Sequence, residues 1–155
     1  MRTQTMVGCT VRRAGFSLIE FMIVMTIIAI FASMALPSYR FAIGKVRRAE
    51  GRAALLQLMH QQEAIYTQRI RYVEFSAATL VPGQPQFKWY SGATPASSAY
   101  EIDASACPGQ LLSECIELKA RPGTALVNTS HIDGQCGTLR LDSFGRRSAN
   151  AADCW

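Results

Sequence analysis

One carboxylate, Glu20, stands at the head of an apolar stretch that carries no charge from Phe21 to Leu36. Thr26 and Ser33 are its only polar interruptions, Arg12 and Arg13 lie just before it, and Pro37 closes it. The 21 residues Phe16–Leu36 would extend about 31 Å as a helix at roughly 1.5 Å per residue, enough to cross a bilayer core. An ionisable group in such a segment costs about 2.5–3.5 kcal/mol on insertion scales, so it calls for a partner or a use. The pattern predicts a chain that starts in a membrane and later exchanges lipid for protein contacts. Its basic side stays cytoplasmic, which leaves the C-terminal part periplasmic. A plain signal anchor leaves Glu20 unexplained. An ordinary signal peptide would be cut beyond the apolar core, near Ala32–Ala35. No apolar region precedes Cys9, which argues against a lipoprotein site.

The run Arg12-Arg13-Ala14-Gly15-Phe16-Ser17-Leu18-Ile19-Glu20 resembles the class III leader junction of type IV prepilins. That resemblance implies cleavage by a prepilin peptidase between Gly15 and Phe16 and N-methylation of Phe16. It also implies an assembly role for Phe16, Glu20 and Pro37, the last at the family's helix-bending position. Ala29 stands near where many members carry glycine, so local melting during assembly would depend more on Pro37. Arg47-Arg48-Ala49-Glu50 and the stretch from Cys136-Gly137-Thr138-Leu139 to Cys154-Trp155 resemble the small PilE-like minor pilins. A start at Met6 would leave the junction intact.

Loss of residues 1–15 would remove Arg2, Arg12 and Arg13 and lower the formal charge from +5 to +2. The full-chain balance therefore overstates any case for nucleic acid. What remains suffices for one globular domain of roughly 90 residues beyond the exposed helix half. Four cysteines stay behind: Cys107, Cys115, Cys136 and Cys154. An even count in a small exported domain favours two disulfides, with three pairings open to sequence alone. Cys107–Cys115 and Cys136–Cys154 are the favoured pairs, and the second resembles the pilin D-region loop. The CxxC spacing of a closed zinc site is absent, so neither metal nor cofactor is expected.

Beyond Pro37 the pattern becomes amphipathic. Leu55 or Leu56, Met59, Glu63 or Ala64, Tyr66 and Ile70 suggest one buried face of a long curved helix from Phe16 to near Tyr72. Gly44 and Gly51 weaken it without ending it. Residues 73–99 read as a connection rich in proline and glycine, anchored by Phe75, Phe87, Trp89 and Tyr90. Three strands follow, at Ala99–Ser105, Cys115–Arg121 and Gly137–Asp142. The expected fold is α+β, a type IV pilin fold with the helix packed on a small antiparallel sheet. Its divisions are a leader (1–15), a transmembrane or filament-core half (16–37), an amphipathic half (38–72) and a sheet region closed by disulfides (73–155).

No catalytic constellation is present in the sequence: His131 reads as part of a surface loop beside Asp133, and Asp142 as a turn acceptor. Arg47, Arg48, Glu50 and Arg52 form a charged shoulder, and His60 is an ordinary helix residue. The reading is a noncatalytic minor type IV pilin, with major pilin, secretion-system pseudopilin and pilus-displayed DNA-uptake receptor as alternatives. Its expected partners are the peptidase, major and minor pilins, the inner-membrane assembly platform and, for the receptor reading, DNA. Lys119, Arg121, Arg140, Arg146 and Arg147 are the candidate partner or DNA contacts, through phosphate attraction should they converge. The final location is the pilus and cell surface, in roles such as adhesion or twitching motility.

Overall fold

A computed structural model describes residues 17–79 and 86–155, apart from the side chains at 35–38 and 40. The leader, the Gly15–Phe16 junction, the Pro37 ring and the Pro82, Gly83 and Pro85 part of the connection lie outside the described residues. The elements are a helix α1 (Leu18–Arg69), then strands β1 (Tyr100–Ala106), β2 (Ile116–Pro122), β3 (Leu139–Asp142) and β4 (Arg147–Ser148). A 3-10 turn, Ala152–Cys154, follows them. The chain divides into two compact units, residues 1–40 and 41–155.

In the first unit every described side chain from Ser17 to Met34 is exposed. Thr26 and Ser33 satisfy their hydroxyls on α1's own carbonyls, at Ile23 (2.7 Å) and Ile30 (2.7 Å). The only acid among the described residues of this unit is Glu20, in the first turn of α1, where a negative charge suits the helix dipole. No helix among the described residues is long and apolar enough to cross a membrane. The described side chains of the expected span end at Met34, two residues short of Leu36.

The second unit is a head built on the rest of the helix. Leu55, Leu58 and Gln62 point into the core at helical spacing, and Gly51 is buried one turn earlier. A Cβ at Gly51 would lie 2.9 Å from Cδ2 of Tyr100, so the missing side chain is what lets the tyrosine ring approach the helix. The buried face is thus rotated from the expected one: Leu58 and Gln62 are inside, Met59 is partly buried, and Ile70 is 72% exposed.

Helix α1 stops at Arg69, short of the expected Tyr72, because Ile70 takes a left-handed φ of 54°. A β-branched residue is strained there. The buried Gln62 amide grips the reversal: its Nε2 donates to the Val73 carbonyl (2.7 Å) and its Oε1 accepts from the Val73 amide (2.9 Å). Tyr72 then leaves the helix and buries its ring, stacked on Tyr66 at 4.5 Å.

The four strands are antiparallel in the order β1-β2-β3-β4. Tyr100, Ile102, Ala104, Ile116, Leu118, Ala120, Leu139 and Leu141 form the inner face and join Leu55 and Leu58 in one core. Strand β4 was not among the expected strands. It is two residues long, too short for any periodic signal, and exists because the Ser143–Gly145 turn returns Arg147 to Leu141 and Ser148 to Arg140. Asp142 makes that turn by accepting the amides of Phe144 (3.0 Å) and Arg146 (2.9 Å). The connection seals the far edge through bridges from Phe75 to Ala104 and Tyr90 to Glu101, with Phe75 stacked on Phe87 at 4.6 Å.

Candidate partner-binding surface

The disulfide-closed end of the head is organised around one buried carboxylate. Asp133, 8% exposed, receives a forked bond from Arg48 on α1, Nε to Oδ2 and Nη2 to Oδ1, both at 3.0 Å. The Tyr100 hydroxyl donates to Oδ2 at 2.7 Å and the Cys136 amide to Oδ1 at 3.0 Å. Burial by itself would raise the Asp133 carboxyl, but Arg48, Tyr100 and the Cys136 amide outweigh it and hold the group below the usual carboxylate range. The Arg48 guanidinium is raised, chiefly by its hydrogen bond to Asp133. Burial first, and then the bond to Asp133, push the Tyr100 phenol far above its ordinary value. A buried charge left without a partner is expensive, so these groups lock the start of the cysteine loop to helix and sheet together.

His131 is not the surface residue expected from its loop. Its ring packs edge-on against Tyr100 at 5.4 Å, and its Nε2 is buried without a hydrogen-bond partner. Burial pushes the imidazole below its ordinary value. Both oxygens of Asp133 are already engaged, so sequence proximity makes no acid–base pair with His131.

The structure pairs Cys107 with Cys115 and Cys136 with Cys154, at Cα separations of 5.4 and 5.6 Å. Cys107, Cys115 and Asp142 bring three potential ligand atoms together, but both sulfurs are consumed in the disulfide and Asp142 holds its turn. Their chemistry does not suit a metal ion, which needs thiolates.

The five candidate cations fall into two groups. Lys119, Arg121 and Arg140 do converge, on the outer face of the sheet, but acids interleave with them in register. Arg121 hydrogen-bonds Glu101 (3.2 Å) and forms an ion pair with Asp103 (2.9 Å) outside hydrogen-bonding geometry, while Lys119 (3.2 Å) and Arg140 (3.3 Å) share Glu117. That face is a woven set of ion pairs with little field left for an external anion. Burial nevertheless raises the Asp103 carboxyl, against the pull of Arg121 and Lys119. At the β3–β4 turn Arg146 pairs with Asp142 and lies 5.1 Å from the Phe144 ring. Arg147, exposed on β4, has no carboxylate partner among the described residues; its guanidinium lies over the Trp155 ring at 5.6 Å. The Trp155 indole is fixed in turn by donating to the Ser148 carbonyl at 3.0 Å. An unpaired arginine on an aromatic plate presents its donors outward, in a form suited to phosphate.

Sequence reasoning missed the Asp133 hub and the Arg147–Trp155 pair. The first had one available signal, Arg48 on a helix face otherwise turned to the core. The second had none, because a two-residue strand sets it.

Residues 37–140 match the family described as "Type IV minor pilin ComP, DNA uptake sequence receptor", and residues 11–36 match the prokaryotic N-terminal methylation motif. The type IV major pilin protein PilA of Myxococcus xanthus is 34% identical over 65 residues, which are 42% of this chain and 30% of that protein. The chain thus matches under a third of that relative's length. Among solved structures, a type IV pilin from Shewanella oneidensis superposes with a TM-score of 0.46 at 22% identity, covering 72% of this chain and 97% of the other. The Neisseria meningitidis non-core minor pilin PilV gives 0.43 at 18% identity, with 72% and 91% covered.

Proposed function

The chain belongs to the family of type IV minor pilins described as ComP, DNA uptake sequence receptor, and from that membership we propose how its parts are used. It is anchored in the inner membrane with the head periplasmic, cut by the prepilin peptidase at Gly15–Phe16 and methylated on Phe16. The assembly platform then moves it into the pilus, where its apolar stretch joins major and minor pilins. The role is noncatalytic. The observation that carries this reading is Glu20, the one carboxylate among the seventeen helical residues Leu18–Met34, all of them exposed.

Desolvation alone would favour the protonated acid in apolar surroundings, and a neighbouring ammonium reverses that preference. Glu20 lies four residues beyond Phe16, about 6 Å along a helix axis. An axial offset between parallel subunits brings one chain's new terminal amine to the next chain's Glu20, which registers the incoming helix. Glu20→Ala should leave leader cleavage intact and lower incorporation into sheared filaments about tenfold or more, the effect of roughly 1.4 kcal/mol. Incorporation at the wild-type level would end the register mechanism.

The description of the family favours a second activity, DNA binding by the displayed head. Within this chain it is supported by Arg147, which has no acid partner among the described residues, with Arg146 beside it on the loop closed by Cys136–Cys154. The paired cations of the sheet face are the weaker candidates. Replacing Arg146 and Arg147 together by Glu should preserve both disulfides and abolish duplex retardation at low salt. The wild-type salt slope should correspond to only about one or two phosphates. Retardation equal to that of an unrelated protein of the same charge would remove the receptor reading and leave the pilin reading untouched.

A further inference from the structure

A cleft of about 380 Å³ opens on the head between the first turns of its helix and the cysteine loop, lined by Phe41, Lys45, Arg48, Arg52, Gln135 and Asp153. Its cations differ in how far they are committed. Arg48 is spent on Asp133 and also donates to Gln135 Oε1 at 3.3 Å. Among the described residues Arg52 meets only the Cys154 carbonyl, at a long 3.5 Å. Lys45 has no carboxylate partner among the described residues, and its Nζ stands 4.6 Å from the centre of the Phe41 ring. Asp153 is held by Gln135 at 3.1 Å. With Arg48 neutralised by Asp133 and one further cation offset by Asp153, the lining is left with a single positive charge. That matches one phosphodiester.

We propose that this cleft seats the phosphate of an anionic phospholipid, of the phosphatidylglycerol class, while the subunit waits in the bilayer. Position in the sequence supports a lipid source: Phe41 and Lys45 follow the apolar run by five and nine residues, within the reach of interfacial anchoring residues. Phe41 is 62% exposed at the mouth, an apolar ring beside an ammonium, as suits a site where acyl chain and headgroup meet. The single residual charge also disfavours a duplex, which offers many phosphates along a groove. Seating the lipid holds the cleft at the membrane surface, and extraction into a filament must release it.

The inference takes from the proposed function only that the chain stands in a bilayer before assembly. Full-length protein is checked for insertion by resistance to alkaline extraction, then purified in detergent with equal phosphatidylglycerol and phosphatidylcholine. Retained lipid is counted by native mass spectrometry. Wild type should keep phosphatidylglycerol over phosphatidylcholine by about tenfold, and Lys45→Gln with Arg52→Gln should bring the ratio to one. Lys45→Gln alone, which among the described residues removes only a contact with an exposed ring, should cut the preference at least threefold. Lys88→Gln, a cation lying over Tyr90, should leave it unchanged. Insertion without any preference, a preference that survives Lys45→Gln, or displacement of the lipid by a short DNA duplex at equal phosphate would each overturn the site. Failure to insert would overturn the anchored reading itself.

Discussion

From Leu18 to Met34, α1 turns isoleucines, methionines and phenylalanines outward, with Leu18 78% and Phe31 68% exposed. From Gly51 to Gln62, the same helix buries a glycine, two leucines and a glutamine. The more apolar stretch is the uncovered one. A continuous apolar surface of that size is a binding surface rather than a folding core, and in the proposed function lipid and then other pilin helices cover it. In the second stretch burial follows fit: Gly51 yields room to Tyr100, and Gln62 is completely inside because its amide closes two backbone bonds on Val73. One stretch needs only apolarity and a single charge, whereas the other needs particular shapes. Substitutions should therefore act on assembly in the first and on stability in the second.

The strongest test of the second half of that statement is Asp133→Ala. It strands the Arg48 guanidinium, the Tyr100 hydroxyl and the Cys136 amide in a region where the side-chain exposures of Arg48 and Asp133 are 14% and 5%. Breaking a buried pair by removing one partner costs about 3–5 kcal/mol, and the lower end is expected because Arg48 can still reach Gln135. In a domain of this size each kcal/mol shifts Tm by about 4–8 °C. Thermal unfolding of the head should show that loss with leader cleavage unchanged. A shift within 2 °C would mean the hub is not what joins the cysteine loop to the helix.

Two glycines on the helix sharpen the contrast at smaller scale. Alanine is favoured over glycine in a helix by about 1 kcal/mol. At Gly44 an added Cβ meets nothing within 4 Å, so Gly44→Ala should stabilise the head by up to about that amount. At Gly51 the same methyl meets the ring of Tyr100, which is fully buried and tethered through its hydroxyl to Asp133. Overpacking costs about 1–3 kcal/mol, so Gly51→Ala should be net destabilising by about 1 kcal/mol. Opposite signs from one substitution on one helix would be read in urea midpoints. Equal signs would mean that Tyr100 yields more readily than its tether suggests.

Why some of this was legible in the sequence follows from the same contrast. The family was legible through the resemblance of the Arg12–Glu20 junction to type IV prepilins, while Glu20 and the apolar run alone predicted only a segment that starts in a membrane, a pattern of composition and one charge that is local in the sequence. The α+β architecture followed from the amphipathic pattern and three alternating apolar segments. The exact buried face did not, since Leu55 against Leu56 or Met59 against Leu58 is decided by what the sheet presents. The end of α1 was displaced by Ile70, whose left-handed backbone no propensity favours. Strand β4 and the stacking of Arg147 on Trp155 escaped because a turn made by Asp142 places them. The sheet cations were located, yet their neutralisation by Glu101, Asp103 and Glu117 depends on strand register, which sequence does not print.

The smallest expected effect concerns His131, at the junction of the loop with Tyr100. Its ring is neutral and half-buried, and burial holds its pKa below the ordinary value despite the nearby Asp133. Above about pH 6.5, the ordinary histidine value, folded and unfolded chains are both neutral there and its contribution to stability is complete. As pH falls through that value the unfolded chain takes up the proton first, so stability declines until the folded imidazole also titrates, and then levels off. Since the ring is partly solvated, the loss should stay under about 1 kcal/mol once screening is allowed for. Asp133 acts in a different window. Its depressed carboxyl keeps its contribution above about pH 4, the ordinary carboxylate range, and loses it only as pH falls through the folded value. Urea midpoints between pH 7.5 and 5 should therefore show a shallow decline that His131→Phe removes, because phenylalanine keeps the edge contact with Tyr100 and carries no proton. The steeper acid transition below pH 4 should persist in that variant and become shallower with Asp133→Ala. A decline between pH 7.5 and 5 that survives His131→Phe would assign the titration to another group and leave the imidazole as packing alone.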